Sequence, residues 1–98
     1  MSNDGQSSQS TGVNWFVYIV ECADGTLYTG ITTDVERRVG EHNAGKGARY
    51  TRSRRPVVLR YRELQPDRSS ASTREVQIKA LARTAKQELI DRWRVQES

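Results

Sequence analysis

The stretch Trp15-Phe16-Val17-Tyr18-Ile19-Val20-Glu21-Cys22-Ala23-Asp24-Gly25-Thr26-Leu27-Tyr28-Thr29-Gly30-Ile31-Thr32 decides the fold. Its two halves are β-branched and aromatic, which suits a pleated, half-buried surface, and Cys22-Ala23-Asp24-Gly25 between them carries the turn signal. The pattern predicts a hairpin. Its register matters for chemistry, because side chains alternate across a strand and opposed residues share a face. A two-residue Asp24-Gly25 turn opposes Glu21 to Tyr28 and sends Tyr18 and Tyr28 to opposite faces. A three-residue Ala23-Asp24-Gly25 loop, with Gly25 left-handed after a type I turn, opposes Val20 to Tyr28 and puts both phenols on one face. The second arrangement is the expectation.

Downstream, Thr33-Asp34-Val35-Glu36 matches a capping box with Thr33 as N-cap. It opens a helix with Val35 and Val39 on one stripe, ending between Asn43 and Gly47. Pro56 precedes a third strand, Val57 to Glu63. A second helix is expected to start among Asp67, Ser69 and Ser70, with Ala71, Ile78, Leu81 and Ala82 inward. Thr84-Ala85-Lys86-Gln87, another capping box, opens a third helix with Ala85, Leu89, Arg92 and Trp93 on one side. The expected class is α+β: a three-stranded antiparallel sheet with flanking helices, in the order β-β-α-β-α-α. This domain occupies 15–94. Residues 1–14, almost entirely Ser, Gln, Gly, Asn, Asp and Thr, read as a disordered tail.

A chain of 98 residues accommodates one core. A mean hydropathy of −0.80 and the lack of any long apolar run exclude a membrane protein. One cysteine, Cys22, forms no internal disulfide, and no basic-then-apolar leader opens the chain, so a reducing cytoplasm is the expected location. One Cys and one His cannot supply the four ligands of a structural zinc site. No Gly-rich phosphate loop joins a strand to a helix, which argues against a nucleotide-binding enzyme.

Charge is more informative. The chain carries 16 Lys+Arg against 12 Asp+Glu, and from Asn43 to Arg62 there is no acid at all. That stretch holds Lys46, Arg49, Arg52, Arg54, Arg55, Arg60 and Arg62, a phosphate-seeking run rich in the residue whose planar fork binds phosphate through two hydrogen bonds. A merely basic, water-facing surface explains the run equally well.

Several polar residues stand where packing alone would choose apolar ones. Tyr18 and Tyr28 lie in the hairpin strands; Arg38 and His42 are four apart on the first helix and project from one face. Glu75 lies between Ala71 and Ile78 on the apolar stripe of the second helix. Each has a bland alternative. A strand tyrosine is commonly a core residue with its hydroxyl at the rim. Arg38 can pair with Asp34 or Glu41 across one turn. Glu75 becomes a surface acid if the helical phase shifts by one.

Read jointly, these residues resemble the GIY-YIG nuclease superfamily, in its small stand-alone bacterial form. Phe16-Val17-Tyr18 is followed by Tyr28-Thr29-Gly30, then Arg38, then His42, then Glu75, and Leu27 to Arg38 carries most of the specificity. The resemblance spans roughly Trp15 to Leu81. It implies a Mg²⁺-dependent endonuclease acting on DNA more than RNA, with DNA repair or recombination as its setting; no recognition helix or zinc finger is visible in the sequence, so low sequence specificity is expected. Tyr18, Tyr28, Arg38 and His42 take the catalytic positions and Glu75 that of the metal ligand. The first motif departs from the family's by reading Phe-Val-Tyr in place of Gly-Ile-Tyr.

The implied chemistry needs an activated water, charge neutralisation at phosphorus and help for the leaving oxygen. One divalent ion on Glu75 serves the last, Arg38 the second, and Tyr28 or Tyr18 the first, with His42 orienting or relaying. A phenol of reference pKa about 10 stands about three units, roughly 4 kcal/mol, from working at neutral pH, and neighbouring cations close part of that gap. Lys46, Arg49, Arg52, Arg54 and Arg55 are the expected nucleic-acid contacts, and the protein is read as a monomer. Two other readings are open: a nucleic-acid-binding module that never cuts, and an adaptor whose arginines meet an acidic protein.

Overall fold

The hairpin forms with β1 (Trp15–Glu21) against β2 (Leu27–Thr32). Val20 opposes Tyr28 and Tyr18 opposes Gly30, so both phenols lie on one face as expected. The three-residue loop sets this register. Gly25 takes φ +85°, its N–H donates to the Cys22 carbonyl at 2.9 Å, and the Cys22 N–H donates to the Thr26 carbonyl at 2.8 Å. The Asp24 carboxylate stiffens the loop by accepting from the Thr26 N–H at 3.1 Å and from its hydroxyl at 2.6 Å. The structure, a computed structural model, describes residues 13–97, and the tail expected over 1–14 falls outside them except for its last two residues.

Helix α1 (Val35–Asn43) begins one residue later than expected, with Asp34 and not Thr33 as N-cap. The Asp34 carboxylate accepts from the Arg37 N–H at 3.0 Å, and an ionised acceptor there also suits the positive end of the helix. Gly45, at φ +81°, turns the chain out of α1. A single helical turn, α2 (Arg49–Arg52), then forms within the basic segment, an element beyond the expected β-β-α-β-α-α order. The Asn43 side chain clamps both backbone groups of Val57, donating to its carbonyl at 3.0 Å and accepting from its N–H at 2.7 Å. This holds the end of α1 against the start of β3 (Val58–Gln65).

β1 is central in a three-stranded antiparallel sheet of order β2-β1-β3. Pairing with β3 slips once: Ile19 opposes Tyr61 but Val20 opposes Leu59, leaving Arg60 as a surplus residue in a β-bulge. The bulge lets Tyr61 join Val17 and Ile19 on one face while Leu59 joins Tyr18 and Val20 on the other. Helices α3 (Arg68–Lys79) and α4 (Arg83–Glu97) cover the first face with Ala71, Ile78 and Ile90. Helix α1 covers the second, with Val39 packed against Tyr18, Val20, Cys22 and Val57. The α+β architecture holds, with α2 added to give β-β-α-α-β-α-α.

Two helix expectations shift. α3 is capped by Asp67, whose carboxylate accepts from the Ser70 N–H at 2.8 Å, and it ends at Lys79, so Leu81 and Ala82 lie in the connection and Ala82 is exposed. α4 starts one residue before Thr84, leaving that capping box unused, and its inward stripe is Leu89, Ile90 and Trp93 with Arg92 exposed. No helix among the described residues is long and apolar enough to cross a membrane.

Candidate active site

The sheet face under α1 has a polar end. The hairpin register brings Tyr18 and Tyr28 there and α1 adds Arg38 and His42 one turn apart, while Glu75, between Ala71 and Ile78 on the helix that covers the other face, reaches the Tyr18 phenol only through its charge. Tyr18 and His42 are sealed, at 1% and 0% exposure. The Tyr18 hydroxyl lies 2.8 Å from His42 Nε2, and the half-buried Tyr28 ring meets the imidazole edge-on with centroids 5.4 Å apart. Gly30 makes room for the Tyr18 phenol, since a Cβ there would stand 2.5 Å from its hydroxyl. Among the described residues the Tyr28 hydroxyl takes no hydrogen bond.

Arg38 donates to Glu41 at 2.9 Å, so the local pairing weighed from sequence does form, while Asp34 takes Arg37 instead. The pairing does not withdraw Arg38 from the site, because its guanidinium also acts on the Tyr18 phenol. Burial pushes that phenol up to about 12; Arg38 pulls against the rise, and Tyr28 and Glu75 add to it. The cation therefore acts in the direction expected but is outweighed by desolvation. His42 is held below its ordinary value, first by burial and then by Arg38, which keeps the imidazole neutral.

Glu75 pairs with Lys79 at 3.2 Å, the carboxylate side chain 20% exposed and the ammonium side chain 52%. No group of three or more His, Cys, Asp or Glu among the described residues could hold a metal ion. A lone carboxylate fits Mg²⁺, a hard ion that keeps several waters and takes the rest of its oxygens from a substrate phosphate; it does not fit an ion needing a cage built by the protein.

The basic segment divides. Lys46, Arg49 and Arg52 are exposed, and their side chains have no partner among the described residues. Arg54 and Arg55 are committed internally. Arg54 bonds Asp24 at 3.0 Å and the Tyr50 carbonyl at 2.7 Å, and lies 4.0 Å over the Tyr50 ring. Arg55 donates to the carbonyls of Arg52 at 2.9 Å and Asn43 at 3.3 Å.

Three residues of this segment, absent from the sequence-based site, bind it to the face that carries Tyr18, Tyr28 and His42. Tyr50 stacks on Tyr28 with centroids 6.0 Å apart. The buried Thr51 hydroxyl lies 2.7 Å from His42 Nδ1. Gly47 passes so close that a Cβ would stand 2.8 Å from the His42 Cα. An aromatic ring amid arginines is a visible cue for Tyr50. Thr51 has none, since a threonine in a basic run reads as surface.

Fold and site together define a small α+β protein with a phenol, imidazole and guanidinium cluster under a basic strap. Residues 14–88 match the family model for the GIY-YIG catalytic domain, and the chain belongs to that family. It is 68% identical over 77 residues to a UPF0213 protein of Desulfotalea psychrophila, covering 78% of this chain and 70% of the relative. A UPF0213 protein of Halobacterium salinarum is 59% identical over 73 residues, covering 74% and 95%. The solution structure of an E. faecalis protein matches with TM-score 0.57 at 39% identity, covering 84% of this chain and 88% of that one. The solution structure of the UPF0213 protein from Bacillus halodurans matches with TM-score 0.52 at 46% identity, covering 80% and 83%. The family and the α+β fold expected from the sequence are both upheld.

Proposed function

We propose that this protein is a metal-dependent endonuclease that hydrolyses phosphodiester bonds in DNA, in preference to RNA, with low sequence specificity. Repair or recombination intermediates are its setting, and it works in the cytoplasm as a monomer. The observation that carries the reading is the meeting of Tyr18, Tyr28, Arg38 and His42 on one sheet face, with Glu75 acting on the same phenol, in a chain of the GIY-YIG family. The free Cys22 thiol suits a reducing compartment.

In this reading Lys46, Arg49 and Arg52 hold the phosphate backbone, contacts that position the substrate without reading its sequence. Arg38 neutralises charge developing on the phosphoryl oxygens. Tyr28, half-buried and with its hydroxyl unengaged among the described residues, takes the proton of the attacking water. Tyr18, sealed against His42, is a supporting group and not the base. Glu75 would hold Mg²⁺, which supplies positive charge to the leaving oxygen when bound.

The Lys79–Glu75 pair favours a second reading, nucleic-acid binding without cleavage, because the ammonium stands where a cation would be held. A Mg²⁺ titration of cleavage on branched, nicked and single-stranded substrates, comparing the parent with Glu75→Ala, separates the two. The endonuclease cuts only with metal and only in the parent, while both proteins bind and keep the same circular dichroism. Salt-sensitive binding with no Mg²⁺-dependent cutting by the parent establishes the second reading.

A further inference from the structure

The Thr51 hydroxyl lies 3.0 Å from the Ala48 carbonyl oxygen and 2.7 Å from His42 Nδ1. A hydroxyl has one proton to give, and a carbonyl oxygen has none. With the Thr51 proton on the Ala48 carbonyl, the 2.7 Å contact is carried by a proton on Nδ1. A neutral imidazole protonated at Nδ1 presents a bare Nε2, and the Tyr18 hydroxyl, 2.8 Å away, donates to it.

The surroundings of Tyr18 agree. Among the described residues the Tyr18 hydroxyl makes its one hydrogen bond to His42, and the Arg38 guanidinium acting on it has donors and no acceptor, so the phenol proton finds its acceptor on the histidine side. The opposite tautomer suits the Ala48 N–H, which points at Nδ1 from 3.4 Å, the longest contact of the set, but it leaves the Tyr18 proton without an acceptor. It also leaves the Ala48 carbonyl with only the longer, 3.2 Å bond from the Thr51 N–H.

We propose that Thr51 is a positioning residue that fixes His42 in its Nδ1–H tautomer, holding Nε2 as the acceptor of the Tyr18 proton. Helix α2 thus faces two ways: Arg49 and Arg52 point to solvent, while Thr51, at 0% exposure, sets the state of the imidazole. The tautomer stands on geometry alone; its consequence for cleavage rests on the endonuclease reading.

His42 is the only histidine in the chain, so long-range proton–nitrogen spectra of ¹⁵N-labelled protein report it without ambiguity. The parent and Thr51→Ser are expected to show a protonated Nδ1 and a bare Nε2. In Thr51→Val, Nδ1 keeps only the Ala48 N–H as neighbour, so the proton moves to Nε2 and the two ring-nitrogen shifts exchange. Cleavage should fall about tenfold or more in Thr51→Val and stay within about threefold of the parent in Thr51→Ser. A parent with its proton on Nε2 overturns the proposal, as does a folded Thr51→Val that keeps the Nδ1–H signature. Should Thr51→Val fail to fold, the parent and Thr51→Ser spectra decide. A parent that cuts no substrate sinks the endonuclease reading and leaves the tautomer result standing.

Discussion

The Tyr18 hydroxyl and His42 Nε2 stand 2.8 Å apart at a point closed to water, and each is the other's polar partner. Tyr18→Phe therefore strands a buried imidazole nitrogen, a loss of about 1–3 kcal/mol. Tyr28→Phe strands nothing, because no hydrogen bond ends on that hydroxyl among the described residues. Urea midpoints should drop for the first variant and hold for the second. Cleavage should fall roughly a hundredfold or more in Tyr28→Phe. A Tyr28→Phe protein cutting at the parental rate removes this phenol from the role of base.

Stability should depend on His42 near neutrality. Burial and Arg38 hold its folded-state value below the ordinary one of about 6.5. As pH falls through 6.5 the unfolded chain takes up a proton that the folded chain refuses, so stability decreases toward acid until the folded pKa is reached. Asp24, Glu41, Glu63 and Asp67 are each held below the ordinary carboxylate range, so their contribution is lost only at lower pH. Denaturation between about pH 7.5 and 5.5 should show the parent weakening. In His42→Gln the slope should flatten. An equal slope in both proteins assigns the effect elsewhere.

Lys79 competes for the carboxylate proposed to bind metal. Its side chain is half exposed, so the pair is worth only about 0.2–1 kcal/mol, and Lys79→Met should lower the Mg²⁺ concentration for half-maximal cleavage by roughly 1.5- to 5-fold. An increased requirement in that variant shows that the ammonium aids the site.

Exposed and committed arginines should part in a salt titration. Each duplex phosphate contact contributes about 0.9 to the logarithmic salt slope of binding, so Arg49→Ala with Arg52→Ala should reduce it by about 2. Arg54→Ala should leave the slope nearly unchanged and lower the unfolding midpoint, because the Arg54 side chain ties the basic segment to the hairpin loop through Asp24 at 3.0 Å and lies over the Tyr50 ring. The reverse pattern makes Arg54 a phosphate contact.

The hairpin was legible because the placement of Gly25 and the alternation of Tyr18, Val20 and Tyr28 constrain register together. The start of α1 was missed by one residue because Thr33 and Asp34 are both competent caps, and the choice falls to the stronger, ionised acceptor. The Arg38, His42 and Glu75 placements followed from helical spacing and family likeness. The strap contacts of Tyr50 and Thr51 depend on how the segment folds back over the sheet, which no local pattern encodes. Arg54 and Arg55 read as free cations for the same reason: their partners Asp24 and Asn43 are distant in sequence.

Strict alternation along β3 would place Leu59 and Tyr61 side by side, yet they serve opposite cores because Arg60 stands between them as a surplus residue. Excising Arg60 would leave Leu59 opposite Val20 and Tyr61 opposite Ile19, a regular ladder with both cores intact, at the loss of the ion pair from Arg60 to Glu21. The strand thus contains one position where the chain can shorten without turning either half inside out. Aligning this protein with a relative that lacks the extra residue requires a one-residue gap in mid-strand, where gaps are ordinarily forbidden.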